Sequence, residues 1–267
     1  MDAFDEALEQ FKRSGAFIYE GKYEAKYLNT DHITRLKNSF NELDPNKTYQ
    51  FHLSNVILDP QTNQVTPVRR RQSTRTSRSN SSSSSEGASD SSNGTISYRD
   101  IVWTERLEQF QQPVQAQAEA ELTRSRYKFE KELLSVLKSR LAWSSIKIEG
   151  VCFQQGPERK HYLIARFHRP LLSHLSGHNS LASLSLNPFF LDEGIKPLGK
   201  FLTKNTHLQN LSLGLTAGGP ADWEELGSKL AKHSRLIQAN FENTVLNNAN
   251  CSGLLILAEN YYKKGIT

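Results

Sequence analysis

The sequence predicts an α/β fold in which strand-plus-helix blocks repeat and stack, and three observations predict it. The stretch Leu181-x-x-Leu184-x-Leu186 alternates with a period of two, as on a short, half-buried strand. Leu198 and Leu202 follow, four apart and therefore on one face of a helix. The opening then returns as Leu208-x-x-Leu211-x-Leu213. A strand and a helix that each bury one stripe cannot cover those stripes alone, so neighbouring copies must pack side by side.

The period is 27 residues from Leu181 to Leu208 and 28 from Leu208 to Leu236. Each block closes on the same L-x3-L-x5-L phrase: Leu171, Leu175 and Leu181; Leu198, Leu202 and Leu208; Leu226, Leu230 and Leu236. These residues resemble a leucine-rich repeat of the long, ribonuclease-inhibitor-like subtype. The resemblance implies a solenoid, a curved parallel sheet lined by helices. That family places Asn or Cys in the turn after the strand, whereas Phe189, Thr216 and Thr244 stand there in this chain. The repeats are therefore degenerate, and the turns are expected to be held by hydroxyls or by other contacts.

Taken in order, Asp2 to Lys12 read as a helix on the spacing of Phe4, Leu8 and Phe11, with an acidic first turn that suits the helix dipole. Thr30-Asp31 is expected to cap a second helix bearing Ile33, Leu36 and Phe40, which Asp44-Pro45 stops. Tyr49-x-Phe51-x-Leu53 follows as a strand. Leu36, Phe40, Tyr49 and Phe51 reproduce the gaps of Leu198, Leu202, Leu211 and Leu213, with Asn46 in the place of Leu208. Residues 1–59 thus read as an N-terminal helical cap and a first repeat. Residues 60–100 hold Arg69-Arg70-Arg71-Gln72-Ser73 and the run Ser81 to Ser85. Such a stretch cannot bury enough apolar surface to offset its ordering entropy, and it is predicted to be disordered.

Residues 101–267 are expected to carry the remaining repeats and a C-terminal cap. A long helix runs from about Thr104 to Leu141, with Pro113 marking a kink or a new start. Leu133, Leu137 and Trp143 restate the closing phrase, and Ile146-x-Ile148 supplies the strand. The next block begins 38 residues after Trp143, at Leu181, which is longer than the period. The excess falls in Gln154 to Pro170, where Tyr162 to Phe167 alternate as an additional strand. After Leu236 the strand weakens, with Ala239 and Phe241 at the leucine positions, and Leu254, Leu255, Leu257 and Tyr261 form a terminal helix.

The formal charge is +5 over 267 residues, and it is uneven. From Arg124 to Arg169 there are eleven Lys or Arg against four Glu, whereas from Gly177 onward eight face seven acids. Attraction to an acidic partner is therefore expected in the middle of the chain. No apolar run approaches the roughly 20 residues that span a bilayer, and the N-terminus is acidic where a secretory signal is basic. Cys152 and Cys251 stand far apart, which supports neither a disulfide framework nor a cysteine zinc site. A reducing cytosol is the expected compartment, where the triplets at Asn46, Asn210 and Asn250 stay unglycosylated.

Two surfaces are candidates for binding. The strand positions between the buried leucines, Lys147, Ser183, Ser185, Asn210, Ser212, Gln238 and Asn240, are expected to be exposed, small and polar, a docking face without an aromatic anchor or else a merely solvated surface. Arg159, Lys160, Arg166 and Arg169 form a basic, aromatic-interleaved insertion suited to phosphate and to stacking bases, unless they are the solvated side of an ordinary strand. His174 and His178 are spaced to share a metal with His168 or Cys152, but no acidic third ligand is placed to help, and none is expected. Gly194-x4-Gly199-Lys200 imitates a phosphate-binding loop and fails at Phe201, where Ser or Thr must meet magnesium. Arg70-Arg71-Gln72-Ser73 has the form of a kinase site or a nuclear address, and equally of a solubilising linker. No nucleophile, base and carboxylate stand at catalytic spacing. The expectation is a non-catalytic module without cofactor or metal that binds a protein partner. Short, irregular sets of such repeats look like those of effectors that intracellular bacteria deliver into host cells. The alternative is an RNA- or ribosome-directed protein acting through Arg124 to Arg169.

Overall fold

The computed structural model describes residues 2–59, 120–155, 159–163, 165–189, 191–214, 219–241 and scattered positions from 251 to 262. The insertion at 60–100, the expected helix start at 104–119, Thr216, Thr244, Leu254, Leu257 and Tyr261 lie outside them. The chain divides into two units, residues 1–62 with 125–267, and residues 63–124. Of the second unit only residues 120–124 are described, and they are helical.

Helix α1 (Ala3–Ser14) starts where Asp2 Oδ1 accepts the Asp5 amide at 2.7 Å and ends where Gly15, at a φ of 76°, returns its amide to the Phe11 carbonyl. That left-handed glycine turns the chain straight into strand β1 (Ala16–Glu20). After β2 (Lys26–Asn29) comes α2 (Thr30–Asn41), capped by Asn29 rather than by the expected Thr30-Asp31: Asn29 accepts the His32 amide and His32 Nδ1 accepts the Asn29 amide. Strands β3 (Thr48–Ser54) and β4 (Val56–Asp59) complete the N-terminal part. A helix described over residues 120–137, α3, leads to β5 (Ala142–Glu149), β6 (Cys152–Gln155) and β7 (Arg159–Tyr162). The rest alternates: α4 (Ala165–Leu175), β8 (Ser183–Asn187), α5 (Leu191–Lys204), β9 (Asn210–Leu213), α6 (Pro220–Lys232) and β10 (Gln238–Asn240).

Six strands form one parallel sheet in the order β1-β3-β5-β8-β9-β10. Parallel neighbours need a crossover between them, and each helix of the alternation supplies one. The register sets two apolar rows, buried except for the partly buried Ala239 at the β10 end. Phe17, Phe51, Ile146, Leu184, Leu211 and Ala239 stand side by side, as do Tyr19, Leu53, Ile148, Leu186 and Leu213. Against them lie Leu36 and Phe40, Leu133 and Leu137, Leu171 and Leu175, Leu198 and Leu202, and Leu226 and Leu230, all buried. The closing-phrase residues Trp143, Leu181, Leu208 and Leu236 are buried too.

Three expectations are corrected. Phe51, not Tyr49, shares a row with Leu211: the path from Phe40 to Tyr49 is three residues longer than that from Leu202 to Leu208, and the β3–β5 pairing, stepping from Tyr49↔Trp143 to Gln50↔Ser145 past the extra Ser144, takes back one. Tyr49, buried, therefore stands beside Trp143 in the place given to Asn46, which is exposed. Residues Tyr162 to Phe167 are not a strand: β7 ends at Tyr162 and α4 starts at Ala165, so alternation there coincided with a helix entry. Lastly β1, and a second sheet ordered β2-β4-β6-β7, were not anticipated; β7 joins that sheet antiparallel to β6.

Between consecutive blocks runs a polar ladder. Asn205, 1% exposed, donates Nδ2 to the His178 carbonyl at 3.2 Å, and its Oδ1 accepts the amides of His207 and Leu208. Its own carbonyl receives Nε2 of buried His233 at 2.6 Å. His178, Asn205 and His233 each stand three residues before Leu181, Leu208 and Leu236, so each block's turn satisfies the backbone of the block before it.

The turn after β8 is held by an aromatic wedge instead of a hydroxyl. Phe189 is buried, its ring stacks on His168 with centroids 5.5 Å apart, and a Cβ on Gly194 would sit 2.5 Å from its Cζ. The glycine of the phosphate-loop imitation is thus a packing glycine. His168 is 2% exposed, and burial lowers its pKa from 6.5 to about 4. The unfolded chain binds the proton below 6.5 and the folded chain does not. The stability that this provides is complete above pH 6.5 and is lost as pH falls towards 4, by about 3 kcal/mol. His168→Phe should remove that part of the acid sensitivity, measured as the urea midpoint of each protein at pH 7.5 and 4.5.

Candidate functional site: the exposed face of the main sheet

The pleat that buries Phe51, Ile146, Leu184 and Leu211 turns the alternate residues to the other face. Three rows cross it. One holds Gln50, Ser145, Ser183, Asn210 and Gln238; the next holds Ile18, His52, Lys147, Ser185, Ser212 and Asn240; the third holds Glu20, Ser54, Glu149 and Asn187. All seven residues expected on the docking face lie in the first two rows. Six are exposed or half-exposed, but Ser185 is buried at 8% and is corrected from that list.

Lys147 is the centre of the face. Its Nζ lies 3.4 Å from Glu20 Oε1 and 3.4 Å from Glu149 Oε2, a cation between two carboxylates. Partial burial by itself would lower the Lys147 pKa; Glu149 and Glu20 outweigh it and raise the pKa above its ordinary value. Ser185 donates a short hydrogen bond to Glu149, and Ser54 donates to Glu20 at 3.5 Å. His52 Nε2 sits 2.9 Å from Ser145 Oγ. Burial, with Lys147 adding to it, holds His52 below the usual imidazole range, so it is neutral at pH 7. The network joins four strands. Towards β9 and β10 the face becomes Asn210, Ser212, Gln238 and Asn240, with no charge.

Sequence reasoning missed His52, Ser145, Glu20 and Glu149. They come from β1, which was not anticipated, and from β3 and β5, which the expected repeat set two residues out of their true register.

The basic insertion is divided between two elements. Arg159 and Lys160 belong to β7, while Arg166 and Arg169 belong to α4. Lys160, Arg166 and Arg169 are exposed. The Arg166 guanidinium lies 5.5 Å from the centroid of the Tyr127 ring, which α3 supplies. His174 and His178 meet each other, Nε2 to Nε2, at 3.0 Å, and burial lowers both pKa values. His168 is sealed against Phe189, and no cluster of three His, Cys, Asp or Glu residues able to hold a metal occurs among the described residues. Cys152 is buried and free. No helix among the described residues is long and apolar enough to cross a membrane.

No protein-family model and no curated sequence matches the chain. Among solved structures it is similar to leiomodin-1 actin-binding site 2 (ABS2), at 14% identity and a TM-score of 0.36, over 52% of this chain and 75% of that one. A likeness this loose assigns neither a function nor a partner.

Proposed function

We propose that the chain is a non-catalytic interaction module, a solenoid of degenerate leucine-rich repeats whose exposed sheet face docks a protein partner. The observation that carries this reading is the in-register polar face centred on Lys147, flanked by Glu20 and Glu149 and continued by Asn210, Ser212 and Asn240. Hydrogen-bonding groups held on six paired strands lose little conformational entropy when a partner engages them. Small side chains at Ser183 and Ser212 leave room for a protruding element of that partner. The repeat period of 27 and 28 residues supports the solenoid part of the proposal. The likeness to delivered bacterial effectors extends it: the partner is a host cytosolic protein, and the module works in that reducing compartment.

The test is a pair of variants assayed on the protein retained from a nuclease-treated eukaryotic lysate. Asn210→Arg with Ser212→Arg should lower affinity at least tenfold, because two long cations then stand on the face. Replacing Arg159, Lys160, Arg166 and Arg169 by Gln should leave affinity unchanged. The reverse pattern, with binding lost on nuclease treatment and steeply dependent on salt, would assign the chain to RNA.

A further inference from the structure

From Gly177 onward acids and bases nearly balance along the chain, but the second half of α5 holds bases and no acid. Helix α5 carries Lys196, Lys200 and Lys204 at successive four-residue steps, and all three are exposed. Beside them Arg169, Ser173 and Ser176 come from α4, and the two helices enclose a groove of about 550 Å³. Leu172, Pro197 and Phe201 also line it, and none of the described lining residues is acidic. Lys196 has Asp192 and Glu193 one turn before it in sequence, whereas Lys200 and Lys204 have no acid three or four residues away to neutralise them.

We propose that this groove binds a compact ligand carrying several clustered phosphates, of the inositol polyphosphate class, either free or as a lipid headgroup. Four cations converge on one space, and lysine ammonium groups act as point charges that suit phosphate monoesters. The lysine row spans about 12 Å along the helix, enough to meet phosphates on both sides of one ring. Ser173 and Ser176 offer hydroxyls to phosphate oxygens. Of the apolar lining only Pro197 is half-exposed and can meet the ligand's carbon skeleton. Single-stranded nucleic acid is the poorer occupant, because it would need an exposed ring on which to stack, and the one aromatic lining residue, Phe201, is fully buried. The site lies on the helices, away from the polar sheet face, and stands independently of the docking proposal.

Calorimetric titration of the full chain tests it, with inositol hexakisphosphate as one probe and inorganic phosphate as another. Vesicles of phosphatidylcholine with and without phosphatidylinositol bisphosphate form the lipid arm. The hexakisphosphate should bind more tightly than inorganic phosphate, and more weakly as salt rises. Lys200→Gln with Lys204→Gln should cut its affinity at least tenfold, while Lys160→Gln leaves it unchanged. Binding to the phosphoinositide vesicles that the soluble hexakisphosphate displaces poorly identifies a lipid headgroup; ready displacement identifies the free compound. Both substituted residues are exposed, and circular dichroism of the variant verifies its fold. Absence of binding to every phosphorylated probe, equal binding by the double variant, or displacement of the probe by lower concentrations of single-stranded RNA overturns the proposal.

Discussion

Trp143→Ala should lower the folding free energy by about 4 kcal/mol, the largest loss expected from any single truncation in this chain. Trp143 is fully buried between Phe40, with ring centroids 5.5 Å apart, and Phe51, at 6.0 Å. Truncation opens a cavity where the N-terminal aromatic part of the core meets the aliphatic rows of β5 and β8. It also removes the indole Nε1 donor from the Leu137 carbonyl, a 2.9 Å hydrogen bond that satisfies the end of α3. A buried carbonyl left without its donor adds about 1 kcal/mol or more to the loss. Trp143→Phe separates the two contributions, since it keeps most of the packing and loses the donor; it should cost well under half as much. Chemical denaturation monitored by far-UV circular dichroism reads both.

Lys147→Glu should abolish partner binding and destabilise the sheet at the same time. The wild-type ammonium lies 3.4 Å from each of two carboxylates, and inversion puts three carboxylates together. At partly exposed positions each attraction is worth up to about 1 kcal/mol, so turning two attractions into two repulsions costs on the order of 2 kcal/mol. Lys147→Met removes the charge without adding repulsion. If the face docks a partner, Lys147→Met should cost clearly less stability than Lys147→Glu while still losing at least tenfold in affinity. Denaturation and binding measured on the same preparations distinguish damage to the fold from damage to the surface.

Much of the sheet was readable because Leu181, Leu184 and Leu186 return as Leu208, Leu211 and Leu213, and periodicity reports burial directly. The phrase Leu133, Leu137, Trp143 placed β5 correctly even with an aromatic in the third position. The early repeat slipped by two residues because nine residues separate Phe40 from Tyr49 where six separate Leu202 from Leu208, and the step at Ser144 takes back only one of those three. Strand β1 escaped notice because only Gly15 separates it from α1. On the docking face, Ser185 read as exposed because alternation knows only its own strand; Glu149, which covers it, comes from the next one. The lysine row of α5 was invisible for a different reason. Charge counted along the chain averages over helix faces, and the groove exists only where α4 brings Arg169 beside them.

Side-chain footprinting of the complex tests the docking face most directly. The partner retained by the wild-type chain would be bound, and amine-reactive and oxidative labels would report Lys147, His52 and Ile18 against Lys160 and Lys200. The docking account predicts that Lys147, His52 and Ile18 lose reactivity in the complex while Lys160 and Lys200 keep theirs. Unchanged labelling of the three sheet residues, with protection confined to Lys160 or Lys200, would contradict it.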